Sequence, residues 1–349
     1  MRRNASLVSL LAVAVVAAPI APRSGAEDLR PRHITPETIV GVRKGLDWLA
    51  QKQDADGSFQ SSMGGAEYPT AMTALAGMAF LANGCTPSRG PYADQIRKCI
   101  SFLVNQQDPK TGLIARGPEN GRPMYGHGFA LMFLACVHGM EQDPKNRERI
   151  GGIIKNAIQL TASGQSPLGG WMYTPSSGDE GSVTVTQMQA LRAAHNAGFT
   201  IPKGTIEGAT KYLELCRTPE GGIHYSYHSR SGTRTPITAA AVCCLYSTGD
   251  YDSPLAESCL KYVHDEFKKT QNEFESGHYF YLHLYASQAF YQAGDEYWDA
   301  YFPPARDTLL KQQAQDGSWS GDGVGQVYGT ALACLLLQLP YKFLPIYQR

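Results

Sequence analysis

The chain has 349 residues, of which 43% are hydrophobic and 18% charged, and its formal net charge is zero. A chain of this length and composition can bury a substantial core. The basic residues are not clustered in the way that a nucleic-acid-binding surface requires, so we expect no nucleic-acid partner.

The amino terminus has the three parts of a secretory signal. Two arginines precede an apolar run over residues 7–18, and small residues follow up to Ala26. The run is short for a membrane span, and we expect no stable span elsewhere. We therefore expect residues 1–26 to be a signal peptide, residues 27–40 a linker, and the protein to be exported (periplasmic or extracellular). An uncleaved anchor is the alternative. Cleavage near Ala26 leaves 28 Lys and Arg against 31 Asp and Glu, a charge of −3.

In chain order, a two-helix pattern then occurs six times. The first helix of each copy closes on an apolar residue, and these residues recur about every fifty positions: Leu49, Leu103, Leu160, Leu213, Val263 and Leu310. The second helices are expected to begin near Tyr68, Met124, Val183, Thr235, Tyr279 and Val327. Five of them end before a glycine suited to the left-handed conformation that terminates a helix: Gly84, Gly139, Gly198, Gly249 and Gly294. The sixth ends at Pro340.

The two kinds of helix differ in polarity. First helices, such as residues 96–103, carry charges on one face, whereas second helices, such as residues 71–79, are apolar nearly all round. A helix that is apolar on every side is buried. The pattern therefore predicts an all-α protein in which residues 41–349 form a single (α/α)6 toroid of six helical hairpins, with an inner ring inside an outer ring. The tail over residues 341–347 is expected to dock on the first repeat.

A motif at the end of the first helices carries a family resemblance. Residues 44–59 read Lys-Gly-x-x-Trp-Leu-x-x-x-Gln-x-x-x-Gly-x-Phe, and residues 310–319 read Leu-x-x-Gln-x-x-x-Gly-x-Trp. This motif resembles the QW repeat of squalene and oxidosqualene cyclases and of protein prenyltransferase β-subunits. In the fourth copy Arg217 replaces the glutamine, and the fifth copy has lost the Gln-Gly-aromatic ending. The resemblance covers residues 40–345, and it implies the toroid of the terpenoid cyclase and protein prenyltransferase superfamily, similar to exported bacterial prenyltransferase/squalene-oxidase-repeat proteins.

The residues that carry chemistry in those relatives are missing here. The cyclases' Asp-x-Asp-Asp run has no counterpart beyond residues 54–56 and 250–252, which lie in turns, and the prenyltransferases' Asp-x-Cys zinc pair is absent. His224 and His228 lie in a loop without an obvious third ligand, so we expect no metal and no cofactor. Residues 179–180, an Asp-Glu pair, are typical of a helix cap.

Eight cysteines in an exported chain raise the question of disulfides. Half of them lie inside apolar helical runs, where cysteine acts as a small buried hydrophobe: Cys136, Cys243, Cys244 and Cys334. The others are better bridge candidates, although their spacing fixes no pairing: Cys85, Cys99, Cys216 and Cys259.

Polar and aromatic residues near the starts of the second helices should converge on one mouth of the ring. The cavity-lining candidates are Tyr68, Tyr125, His127, Gln187, Thr238, Tyr279, His283 and Tyr328. Aromatic walls suit carbocation chemistry because ring faces attract cations, but tyrosines at helical spacing are also typical of core packing. His127 and His283 are either acid–base groups near neutral pH or hydrogen-bonded helix residues.

Three functions remain open at this point. The resemblance implies an exported prenyltransferase- or squalene-cyclase-like protein that binds an isoprenoid or other lipid in a central cavity, without the motifs for catalysis. The second hypothesis is a non-catalytic scaffold or protein-interaction ring with a protein partner. The third is a polysaccharide lyase or hydrolase, which needs a carboxylate or Tyr/His pair in an open cleft.

Overall fold

The computed structural model describes residues 30–61, 67–117, 119–270 and 278–347. The signal peptide expected at residues 1–26 lies outside them. The chain divides into a short amino-terminal unit, residues 1–31, and a large unit, residues 32–349.

Twelve helices alternate between two kinds over the described ranges. The outer, amphipathic ones are α1 (Pro36–Lys52), α3 (Ala93–Val104), α5 (Pro144–Ser163), α7 (Lys203–Leu215), α9 (Pro254–Thr270) and α11 (Asp295–Gln312). The inner, apolar ones are α2 (Pro69–Ala82), α4 (Pro123–His138), α6 (Gly181–Asn196), α8 (Thr235–Ser247), α10 (Tyr279–Ala293) and α12 (Gln326–Gln338). Each inner helix begins within two residues of its predicted start, and α1 begins inside the predicted linker.

The inner helices form a closed ring. Each packs against the next one along the chain, and α12 packs against α2. Each outer helix packs chiefly against the inner helix that precedes it, so α3 lies on α2 and α1 lies on α12. Every residue of α2 is buried, as expected for a helix that is apolar on all sides. No strand occurs in the described residues, only isolated β-bridges. The all-α toroid prediction is confirmed.

The glycine stop signals act mostly as predicted. After α2, α6 and α8, glycines take positive φ angles of 78°, 89° and 85° at Gly84, Gly198 and Gly249. Gly139 differs, because it keeps a right-handed conformation with φ −71° while the chain continues into a further turn.

The repeat glutamines join neighbouring outer helices. The Gln313 side-chain amide donates to the carbonyl of Gly317 in its own turn, at 2.8 Å, and to the carbonyl of Gly41 on α1, at 2.9 Å. Three earlier glutamines make the same pair of bonds, with the second carbonyl on α3, α5 and α7: Gln53, Gln107 and Gln165. The contact that links successive repeats thus also closes the ring, between the last copy and the first.

The repeat glycines allow the same close approach. Gly317 has φ +94°, and a methyl group added to it would lie 2.6 Å from the carbonyl oxygen of Lys44 on α1. Gly57, Gly112 and Gly169 also have positive φ and meet backbone carbonyls of the next outer helix in the same way. Only glycine combines this conformation with this proximity.

The carboxy-terminal tail crosses the end of the ring where the inner helices terminate. The Phe343 ring packs at Gly84, just after α2. The following 3-10 helix, Pro345–Tyr347, packs on α6, where the Asn196 side chain donates to the carbonyl of Pro345 at 3.4 Å. The tail therefore contacts the first repeat, as expected, and then continues to the third.

All eight cysteines fall within the described residues, and each is a buried free thiol. The four bridge candidates, Cys85, Cys99, Cys216 and Cys259, thus resemble the other four, and no disulfide joins them in this structure. Burial raises the pKa of the Cys216 thiol to about 11, which disfavours its charged form. No helix of the described chain is both long and apolar enough to cross a membrane.

The closing contact can be tested with a pair of glycine variants. Gly317→Ala should lower the free energy of unfolding by more than about 2 kcal/mol, because the methyl group adds a backbone clash to the strain of positive φ. Gly198→Ala is the matched control, since Gly198 has φ +89° and nothing within 4 Å of the added methyl. It should lose only about 1 kcal/mol. Equal losses in urea unfolding would contradict a special role for the Gly317 contact.

Candidate functional site

A cavity of about 690 Å³ opens at the end of the ring where the inner helices begin. All six inner helices contribute to its wall, each through residues in its first half. The two loops before α6 and α8 add one tyrosine each, Tyr173 and Tyr225. The cavity is thus a product of ring closure, because no pair of neighbouring helices encloses it alone.

The wall is arranged in layers along the ring axis. At the mouth lie the residues just before α4, α8 and α10, namely Arg122, Arg234 and His278. The third residue of α4, α10 and α12 is a tyrosine on the wall in each case: Tyr125, Tyr281 and Tyr328. About one turn further in, the wall is apolar: Leu75, Phe129, Leu284 and Leu332. The described wall contains no Asp or Glu.

Buried amides occupy the ring interior beyond the apolar layer. The Gln189 side chain on α6 donates to the Gln288 side chain on α10 at 3.2 Å, although α8 separates these two helices in the ring order. Gln338 on α12 similarly donates to the carbonyl of Ala79 on α2, at 3.2 Å. These bonds tie the inner helices together on the side away from the mouth.

A hydrogen-bonded chain lies behind the tyrosine layer. The Tyr125 hydroxyl bonds to the Ser182 hydroxyl on α6, and Ser182 donates to the Glu180 carboxylate at 2.7 Å. Glu180 is fully buried and caps α6 by accepting the backbone N–H groups of Ser182 and Val183. Its role as a helix cap agrees with the sequence interpretation. Burial raises the pKa of Glu180, and the hydrogen bonds oppose that shift.

Two further tyrosines complete this side of the wall. The hydroxyls of Tyr173 and Tyr225 bond to each other. The Arg122 guanidinium lies over the Tyr173 ring, 4.5 Å from its centroid, a cation–π geometry. The cation that occupies this aromatic face therefore belongs to the protein itself.

Three of the eight predicted residues line the cavity, namely Tyr68, Tyr125 and Tyr328. The structure places the other five away from its wall. Tyr281, which does line it, was not among the candidates. The signal for Tyr281 is its position, because it is the third residue of its helix, as Tyr125 and Tyr328 are of theirs.

His127 and Thr238 occupy one structural position of the repeat. His127 Nδ1 accepts the backbone N–H of Ile114 at 3.2 Å, and the Thr238 hydroxyl accepts that of Ile223 at 3.0 Å. Thr73, Thr184 and Thr330 accept a backbone N–H in the same way from the aromatic residues that end their motifs. Each side chain anchors the preceding turn, so none is free to face the cavity. Burial lowers the pKa of His127 to about 4.

Gln187, Tyr279 and His283 serve helix packing. The Gln187 amide donates to the carbonyl of Met124 at 2.8 Å, joining α6 to α4. The Tyr279 and His283 rings lie 4.3 Å apart, and His283 Nδ1 bonds to the Tyr301 hydroxyl on α11 at 2.8 Å. This pair therefore faces the outer ring, and burial lowers the pKa of His283 to about 3.

A buried carboxyl group that the sequence did not indicate supports the mouth. Glu119 is 2% exposed and accepts the backbone N–H of Thr70, at the start of α2, at 2.9 Å. The next residue, Asn120, donates to the Tyr68 hydroxyl at 3.1 Å, and Arg122 follows. Burial raises the pKa of Glu119 to about 7. Within the described ranges, no group of three metal-ligating side chains occurs.

Comparison with solved structures shows a shared fold. The type II terpene cyclase MstE from Scytonema, in a variant bound to its substrate geranylgeranyl dihydroxybenzoate, matches with a TM-score of 0.58 and 14% identity over 88% of this chain and 98% of that one. A protein from Actinoplanes matches with a TM-score of 0.60 and 15% identity over 88% and 99%.

The α-1,6-mannanase GH76A from Salegentibacter, in an inactive variant bound to α-1,6-mannotriose, matches with a TM-score of 0.58 and 10% identity over 88% of this chain and 99% of that one. Neither a protein-family model nor a curated protein sequence matches the chain. The comparisons thus establish the toroid fold, which is similar to that of a terpene cyclase and of a mannanase alike.

The role of Glu119 can be tested by pH. Its pKa of about 7 in the folded chain lies above the ordinary value of 4.5, so the fold favours the neutral form. The stability this contributes is complete below pH 4.5 and is lost as the pH rises towards 7. Between these limits, the unfolding free energy of the native protein should fall relative to that of Glu119→Gln by an amount on the order of 3 kcal/mol. Glu257→Gln, at an exposed carboxylate, is the control. Parallel pH curves for the native protein and Glu119→Gln would contradict the assignment.

Proposed function

We propose that this protein binds an apolar ligand, an isoprenoid or another lipid, in the central cavity. The observation that carries the proposal is the apolar layer one turn inside the tyrosines. Binding sites for small molecules are concave and mostly apolar, with a volume of about 300 to 1,000 Å³, and this cavity falls in that range at about 690 Å³. The similar fold of MstE, which is bound to a geranylgeranyl compound, supports a ligand of this class.

The side chains on the cavity wall favour ligand binding over the reaction of a terpene cyclase or of a mannanase. Protonation of an alkene needs an acid that faces the cavity, and glycoside hydrolysis needs a pair of carboxyl groups about the scissile bond. The described wall carries no carboxyl group. Glu180 lies behind Ser182 and is already bonded to it. We therefore propose a binding protein, and we extend the proposal to export, because of the signal-like composition of residues 1–26.

A cavity-filling variant tests the proposal. The probe is retinol, an uncharged isoprenoid alcohol whose fluorescence reports binding. The native protein should bind retinol saturably, and Ala71→Phe should weaken binding by at least about tenfold, because Ala71 lies on the wall and a phenyl ring would occupy ligand space.

Ala300→Phe is the matched control, since Ala300 is exposed on the outer helix α11. It should bind retinol as the native protein does. Thermal melts of both variants check that the ring is intact. Saturable binding that Ala71→Phe leaves unchanged, or no binding to the native protein at all, would overturn the proposal.

A further inference from the structure

We propose that the ligand is an amphiphile with an anionic headgroup, which Arg122 and Arg234 bind at the mouth while its tail enters the apolar layer. This inference rests on the proposed function, since it assumes that the cavity holds the tail. It adds the chemical class of the headgroup and the two residues that select it.

The polarity of the wall along the ring axis gives the ligand a direction. Arg122 and Arg234 both line the cavity and are both exposed to solvent. The third-position tyrosines lie inside them, and Leu75, Phe129 and Leu332 lie one turn further in. A ligand that matches this gradient has its charge at the mouth and its apolar part in the interior.

The starts of the inner helices distinguish the two arginines from the rest of the mouth. Carboxylates bind the first backbone N–H groups of three inner helices, Glu119 at α2, Glu180 at α6 and Asp322 at α10. The other three, α4, α8 and α12, have no side-chain cap, and an arginine stands directly before α4 and before α8. In the described chain, no carboxylate accepts a hydrogen bond from the first turn of α4 or α8, beside which the two guanidinium groups lie.

Neither guanidinium forms a salt bridge with a carboxylate of the described chain, and the Arg122 guanidinium lies over the Tyr173 ring. That ring holds the Arg122 guanidinium in place without neutralising its charge. Guanidinium groups bind carboxylate and phosphate oxygens through paired hydrogen bonds. The shared chemistry of the headgroup is therefore an anionic oxygen group, either a carboxylate or a phosphate ester.

The experiment measures the displacement of bound retinol from the full chain at pH 8 and low salt. Four competitors share one tail: hexadecanoic acid, hexadecyl phosphate, hexadecanol and hexadecylamine. At least one of the two anions should displace retinol at a concentration at least about tenfold lower than hexadecanol, and the amine should be the weakest competitor. The anion that displaces retinol at the lower concentration identifies the headgroup as a carboxylate or a phosphate ester. Added salt should reduce the preference, since the mouth is exposed.

Variants assign the preference to the two residues. R122A/R234A should lose the preference for anions, so that hexadecanoic acid and hexadecyl phosphate displace retinol no better than hexadecanol does. The preference is the ratio of displacing concentrations measured within one variant, so any change in retinol affinity that is common to all competitors cancels. R89A/R147A is the control for lost charge, because Arg89 and Arg147 are exposed at the opposite end of the ring, after α2 and α4. It should keep the preference.

The possible failures are distinct. Equal displacement by the four competitors, or a preference that survives in R122A/R234A, overturns the headgroup inference and leaves the cavity proposal standing. Failure of retinol to bind the native protein overturns both.

Discussion

The structure depends on one contact that is repeated between outer helices and used a last time to close the ring. A glutamine side chain holds its own Gly turn and a carbonyl of the next outer helix, and the glycine lets the two backbones approach. Where Arg217 replaces the glutamine, Gly221 still lies near the carbonyl of Ser258 on α9, 3.2 Å from an added methyl. The glycine contact therefore persists where the glutamine has been lost.

Closure places all six inner-helix starts at one end, and the cavity follows from that arrangement. Because the copies are nearly in register, residues at the same position of each helix lie at the same depth. The third position supplies three tyrosines, and the positions one turn later supply the apolar layer. The fifth position anchors the preceding turn, as Thr73 and Thr330 do. One repeat thus divides its residues between holding the ring and lining the cavity.

The same register explains what could be predicted from the sequence. Helix type and ring architecture depend on composition and period, which the sequence shows directly. The direction in which a side chain points is harder to predict, because a step of two residues along a helix turns the side chain by about 200° around the helix axis. Tyr279 therefore faces the outer ring, whereas Tyr281 lines the cavity. The residue type of His127 suggests an acid–base group, but threonines take its place in other copies, and this shared position indicates its anchoring role. Glu119 left no signal, since it acts from a turn distant in sequence from the helix that it caps.

We propose above all that the ring encloses a ligand rather than a plug of its own side chains. Native mass spectrometry of the protein, isolated from the compartment in which it works, can decide between the two. We predict a discrete added mass in the lipid range that collisional activation removes, and fragmentation of the released species would show its headgroup. A mass equal to that of the bare chain, obtained under conditions that preserve a known lipid complex, would contradict the claim.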